Sequence, residues 1–240
     1  MKNALKSAMA LAATIVLMLA FRALAFTVYT VRGTALEPCF IDGDRVLVNR
    51  WSYGLRTGGG TFFRYARWAP SQVERGDLVI FNNPADTLHE IADRDVLAYY
   101  CTGVPGDTVT AAGARITVPG RRHIIEVTAD NAALISFIYN RYEGRNARTS
   151  GGRLYVDGEE TRCAAFSNDY YWFSSGRRAD TSDSRYFGLV PETFIIGKAQ
   201  MLLYSVDPDR PAINCLRPGR RLQPIITAAG GQQTHNSKND

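Results

Sequence analysis

The sequence predicts a mostly β protein with one apolar segment at its amino terminus. Three observations carry this expectation. Short runs rich in Val, Leu, Thr and Tyr recur between turns built from Gly, Pro and Asp, as at 45–49, 75–84 and 95–110, and such runs bounded by turn residues form strands. The stretch 129–147 places apolar residues at helical spacing, which predicts one short helix rather than a helical domain. Of the 240 residues, 45% are apolar and 21% charged, enough to bury the core of a single domain of about 200 residues and too apolar for a disordered chain.

Residues 1–25 are read as a cytoplasmic start and a membrane anchor. Lys2 and Lys6 precede an uncharged run over 7–21, and leading lysines keep the amino terminus in the cytoplasm. The run is short against the roughly 20 residues a spanning helix needs. It reaches that length if 4–31 is counted and Arg22 snorkels to the outer interface. The alternative is a secretory signal peptide, because Ala23-Leu24-Ala25 fits a small-x-small cleavage site. Both readings put the folded part, 26–225, outside the cytoplasm, and 226–240 is expected to be a disordered polar tail.

Within 26–225 the stretch "VRGTALEPCFIDGDRVLVN" (31–49) reads as strand, Pro-containing turn and strand, with 27–31 pairing 45–49. The loop 52–70 is broken by Gly58-Gly59-Gly60 and rich in aromatic residues, which either pack under the loop or dip into a membrane interface. Residues 75–84 give a turn, a buried strand and a stop. Residues 95–110 give two strands around Pro105-Gly106-Asp107. Leu134, Ile135, Ile138, Tyr139 and Tyr142 share a helical face, expected in an insertion covering the sheet. Asp157-Gly158 is a hairpin turn, and 182–206 returns to strand.

The formal net charge is +5, yet only Lys2, Lys6, Lys198 and Lys238 are lysines and the arginines are scattered among acidic residues. That is a mixed solvated surface, not a nucleic-acid stripe, so no nucleic-acid partner is expected. Cys39, Cys101, Cys163 and Cys215 show no C-x-x-C spacing, which argues against zinc; no metal or cofactor is expected. Two disulfides in an oxidising compartment and free thiols both remain open.

Taken in order, "TALEPCFIDGDRVLVNRWSYGLR", "RGDLVIFNNP", "YYCTGVPGDTVT", "GGRLYVDG" and "TSDSRYFGLVPETFIIGKA" resemble the successive boxes of bacterial type I signal peptidases. These are membrane-anchored serine endopeptidases that cut signal peptides from exported preproteins. The resemblance spans about 22–200. It implies coiled antiparallel β-sheets, a retained N-terminal anchor in the plasma membrane and an exoplasmic active site, and it favours the anchor over cleavage after Ala25.

The family's first box reads S-x-S-M-x-P-T-L, with the second serine as nucleophile; here the letters are G-T-A-L-E-P-C-F, which puts Ala35 at that position. Counting back from Pro105-Gly106-Asp107 puts Tyr99 at the position of the general-base lysine and Tyr100 at that of the following arginine. A serine can attack an amide only if a neutral, desolvated lysine takes its proton. Alanine offers no lone pair, and a phenol with a pKa near 10 is a poor base at neutral pH. Losing such a nucleophile costs about 10⁶ in turnover. Gly33 replaces the first serine, whose hydroxyl assists the oxyanion hole, although the Ala35 N–H remains available.

The resemblance further implies a substrate groove formed by Gly33, Thr34, Ala35, Leu36, Leu97 and Tyr99. It assigns supporting roles to Thr181, as the hydroxyl that orients the lysine, and to an Asp183–Arg185 ion pair; Lys198 is structural. Thr34 is no substitute nucleophile if it neighbours Ala35 on a strand, because adjacent side chains then point to opposite faces. Cys101 should share the face of Tyr99. It is the candidate for a relocated nucleophile, with His89 or His123 as base, or for a disulfide with Cys39 across the former active site. The expected protein is a non-catalytic homologue. It would bind signal-peptide-like extended segments by strand addition, or partner an active paralogue; a passive anchored subunit is the third reading.

Overall fold

The computed structural model describes residues 6–7, 9, 11–16, 18, 25–57, 66–111, 113–175, 183–207, 209–210 and 215–225. It divides into two compact units, one holding 1–72, 79–81 and 196–226, the other 73–78, 82–195 and 227–240. The longer strands among the described residues are β1 (Phe26–Thr30), β2 (Asp44–Asn49), β3 (Leu78–Asn82), β4 (Val96–Gly103), β5 (Tyr170–Ser174), β6 (Ile195–Val206) and β7 (Leu216–Pro224). Beyond the amino-terminal segment, the α-helices among the described residues are α1 (Ala132–Ile138) and α2 (Ser184–Phe187). The chain is mostly β, as the sequence predicts.

In the first unit β1 and β2 pair antiparallel, Phe26 opposite Asn49 and Thr30 opposite Arg45. β2 pairs on its other side with β6, which also pairs with β7. Asp44, Val46 and Val48 point inward while their neighbours do not, the period-two burial of a half-covered strand. β3 is buried along its whole length, which accounts for its unbroken apolar run. Gly197 is required where β6 passes the end of β2, because a Cβ there would sit 2.4 Å from the Asn49 carbonyl oxygen.

Two expectations for this unit change. A membrane span cannot run on to Val31, because 26–30 is strand; the described residues of the amino-terminal segment are helical, and none of the described helices is long and apolar enough to cross a membrane. The loop 52–70 contains a small ribbon, Leu55–Thr57 against Ala66–Trp68, with 58–65 outside the described residues. Tyr53 is buried there, but Trp51 and Trp68 are exposed, so the loop does not pack all its rings beneath itself.

In the second unit β4 pairs with β5, and β5 with Val190–Pro191. The insertion supplies a core of its own, in which Val118, Ile135, Ile138, Tyr139, Leu154, Phe166, Tyr170 and Trp172 are buried. The predicted helical face is real: Ile135, Ile138 and Tyr139 are buried, with Leu134 and Tyr142 packed against the same core. The helix does not run straight to 147. It passes into a π-turn over Tyr139–Glu143 and stops at Gly144, whose φ of 64° is left-handed. The Tyr139 hydroxyl donates to the Ala165 carbonyl at 2.9 Å and accepts from the Ala165 N–H at 3.0 Å. Asp157 and Gly158 both have positive φ, the requirement of a two-residue type I′ hairpin, and Val156 faces Glu159 across it.

The strand after Pro105-Gly106-Asp107 does not continue the β4 sheet; Thr108–Ala111 folds onto Ala114–Thr117 instead. Asp107 locks the turn by accepting the Val104 N–H at 2.8 Å and Arg75 Nε at 2.8 Å. Residues 182–206 are not continuous strand either. Asp183 accepts the Arg185 N–H at 3.0 Å and caps the helical turn α2, and a second turn over Glu192–Phe194 precedes β6.

Candidate functional site

The residues carried over from the family fall in both units: 33–36 in the first, and Leu97, Tyr99, Asp183 and Arg185 in the second. Thr181, like the tail 226–240, lies outside the described residues.

The segment 33–40 is a series of turns, not a strand. Gly33 adopts φ 73° and donates its N–H to Asp42 Oδ1 at 2.8 Å. The Glu37 N–H reaches the Thr34 carbonyl at 3.1 Å, and the Phe40 N–H the Leu36 carbonyl at 3.1 Å. The alternation argument about Thr34 and Ala35 therefore does not apply. Gly33 and Thr34 are exposed, Ala35 is half-buried and Leu36 is buried.

The turn is bolted from its far side by β7. Asp44 is fully buried and accepts the Ile41 N–H at 3.0 Å. Arg220 grips the same carboxylate with both ends of its fork, at 2.5 and 3.2 Å, and also donates to the Cys39 carbonyl at 3.1 Å. Arg217 donates to the Asp42 carbonyl at 2.7 Å and to Ser205 Oγ at 3.0 Å. A bidentate guanidinium of this kind fixes orientation as well as neutralising charge. Sequence reasoning missed both arginines, because nothing local in 216–224 marks them as partners of residues some 175 positions earlier.

In the second unit Tyr99 is buried on β4, its ring against Phe187 of α2 with centroids 6.1 Å apart. Leu97 is half-buried on the same strand, and Tyr100 stands opposite Ser174. Asp183 is fully buried. It accepts the Ser175 N–H at 3.0 Å and both Nε and Nη2 of Arg185 at 2.9 Å. Burial alone would raise its pKa, but the donors from Arg185 and Ser175 outweigh it and hold the carboxyl below the usual aspartate range. Ser184 Oγ accepts the Phe173 N–H at 2.9 Å, tying α2 to β5. Phe187, Ser175 and Ser184 are thus supporting residues that the sequence did not flag.

No disulfide joins Cys39 to Cys101 in the structure. Cys101 is fully buried, donates weakly to the Gly103 carbonyl at 3.5 Å, and has its pKa pushed up to about 12 by burial. A nucleophilic cysteine needs the opposite, an accessible and electropositive setting. His89 is engaged elsewhere, its Nδ1 2.8 Å from Asp86 Oδ2 on the surface. His123 packs against the turn at Gly106, where a Cβ would meet its Nε2 at 2.8 Å.

A profile of the family described as "Signal peptidase, peptidase S26" matches residues 4–204. The chain belongs to this signal peptidase family. It is 25% identical over 191 residues to "Signal peptidase I V" of Bacillus subtilis, a match covering 77% of this chain and 89% of that protein. It is 23% identical over 215 residues to "Signal peptidase I" of Aquifex aeolicus, covering 74% and 75%, and 24% identical over 172 residues to "Signal peptidase IB" of Staphylococcus aureus, covering 72% and 74%. The matched range takes in the 33–40 turn, β4 with its following Pro-Gly-Asp, and the Asp183-capped turn.

Proposed function

We propose that this chain is a membrane-anchored signal peptidase homologue that has lost cleavage and retains binding of extended, signal-peptide-like segments, acting as a partner of an active paralogue. The observation that carries the reading is the pair of side chains at the family's dyad positions: a methyl group at Ala35 and a buried phenol at Tyr99. Neither can supply the oxygen nucleophile or the neutral amine that amide attack requires. The buried, high-pKa thiol of Cys101 argues against a relocated nucleophile. Lys198, the only lysine between Lys6 and Lys238, lies in β6 within the segment that family members carry as structure.

Retained binding is supported by the care with which the frame is kept. The Asp42 and Asp44 bolts hold the 33–40 turn, and Asp183 still orders α2 beside Tyr99. Exposed apolar side chains on the described helical residues, among them Leu11, Val16 and Met18, support an amino-terminal anchor, with the amino terminus cytoplasmic and the main domain exoplasmic. The test is photocrosslinking of a labelled preprotein to the full-length chain carrying a photoreactive residue at position 34 or 97. Crosslinks to the signal-peptide region of an uncut preprotein are expected. Crosslinks confined to the mature region would refute the binding reading.

A further inference from the structure

The insertion of the second unit contains a cavity of about 390 Å³ that none of the residues carried over from the family lines. One wall is the strand Ala114–Thr117, all four of whose successive residues line it; the other is α1, through Leu134 and Ile138, with Ile125 nearby. A strand that showed the cavity only a face would contribute alternate residues, so all four lining it means that the strand presents its edge.

That edge is unpaired. Ala114–Thr117 pairs with Thr108–Ala111 and with no other strand among the described residues. The Val118 N–H donates across this ladder to the Asp107 carbonyl at 2.8 Å. Because antiparallel residues alternate, Arg115 and Thr117 turn their N–H and C=O groups outward. Neither residue's outward backbone groups have a partner among the described residues. Two such residues repeat at roughly 7 Å, the spacing at which an extended chain offers its own N–H and C=O groups.

We propose that this slot takes an extended polypeptide segment, added as a third strand beside Ala114–Thr117, with apolar side chains directed at α1. An extended peptide is the occupant that satisfies both halves of the slot. A small apolar molecule would fill the cavity but make no use of the four outward backbone groups, which an added strand pairs. Arg115 and Asp130 both line the cavity, so their opposite charges favour a segment without net charge. The inference goes beyond the reading of 33–36 and 97–99 and stands whether or not the chain cleaves.

The experiment measures fluorescence anisotropy of a dye-labelled Thr-Val-Thr-Val-Thr-Val peptide with the full-length chain in lipid nanodiscs, so that detergent does not compete for the slot. Saturable binding is expected, weakened at least tenfold when alternate amides of the peptide are N-methylated. Thr117→Pro removes one outward N–H but no ladder bond, and a tenfold loss is expected there too. Leu134→Arg, on the opposite wall and without a backbone change, gives the same loss if the proline variant does not fold. Equal binding of the two peptides, no saturation up to millimolar peptide, or binding lost through changes at 33–36 but untouched by Thr117→Pro and Leu134→Arg would overturn the slot.

Discussion

Asp44 is the residue on which the first-box turn depends most. Its side chain is fully buried, and Arg220 is its cation. Removing one partner of a buried ion pair leaves a desolvated charge behind, which costs about 3 kcal/mol or more. Arg220→Ala is therefore expected to lower the stability of the chain by about that amount, read as a drop in denaturation midpoint, whereas Arg220→Lys should recover only part of it because a lysine cannot grip both oxygens. Equal stability of Arg220→Ala and the parent would refute the bolting role. Ala35 and Tyr99 are legible only by counting along boxes that resemble a known family. Their chemistry then follows from elementary acid–base reasoning. Arg220 was not legible at all, because an ion pair across 176 positions leaves no local pattern.

At the scale of elements, α2 shows how a capping carboxylate overrides strand-like composition. Residues 182–206 read as strand on their Val, Ile and Phe content, but Asp183 takes the N–H of Arg185 and turns the chain into a helix. The elements that were legible, β1 with β2, β3, the Asp157-Gly158 hairpin and α1, are those set by neighbouring residues. The turn at 33–40 answers to Arg217 and Arg220 far along the chain, whereas 183–187 is set by contacts with Phe173, Ser175 and Arg185. A pH dependence follows from the same carboxylates. Asp183 and Glu143 are each subject to burial that would raise the pKa, yet hydrogen bonds from Arg185 and Ser175, and from Tyr170, Ser167 and Asn168, leave both lowered. A depressed folded-state pKa contributes stability that is fully present above the ordinary carboxylate range and is lost as pH falls through the folded value. Thermal stability of the chain is expected to hold from neutral pH down to about pH 4 and to fall below it. Replacing Asp183 with Asn should remove part of that acid-side slope along with some stability at pH 7, and an unchanged slope below pH 4 would contradict the assignment.

Over the whole molecule, the match to the signal peptidase family extends over 4–204, and the function proposed above places Ala35 and Tyr99 where that family does its chemistry. Keeping the scaffold without the reaction is coherent if binding is the retained task. Under that reading the Asp44–Arg220 pair of the first unit and the Asp183–Arg185 pair of the second are structural. The most direct measurement is turnover of a labelled preprotein bearing an Ala-x-Ala site by the purified full-length chain, followed over hours at neutral pH and repeated with Cys101→Ala. No cut product above the enzyme-free control is predicted for either protein. Cleavage at the Ala-x-Ala site by the parent chain, whether or not it disappears in Cys101→Ala, would contradict the account.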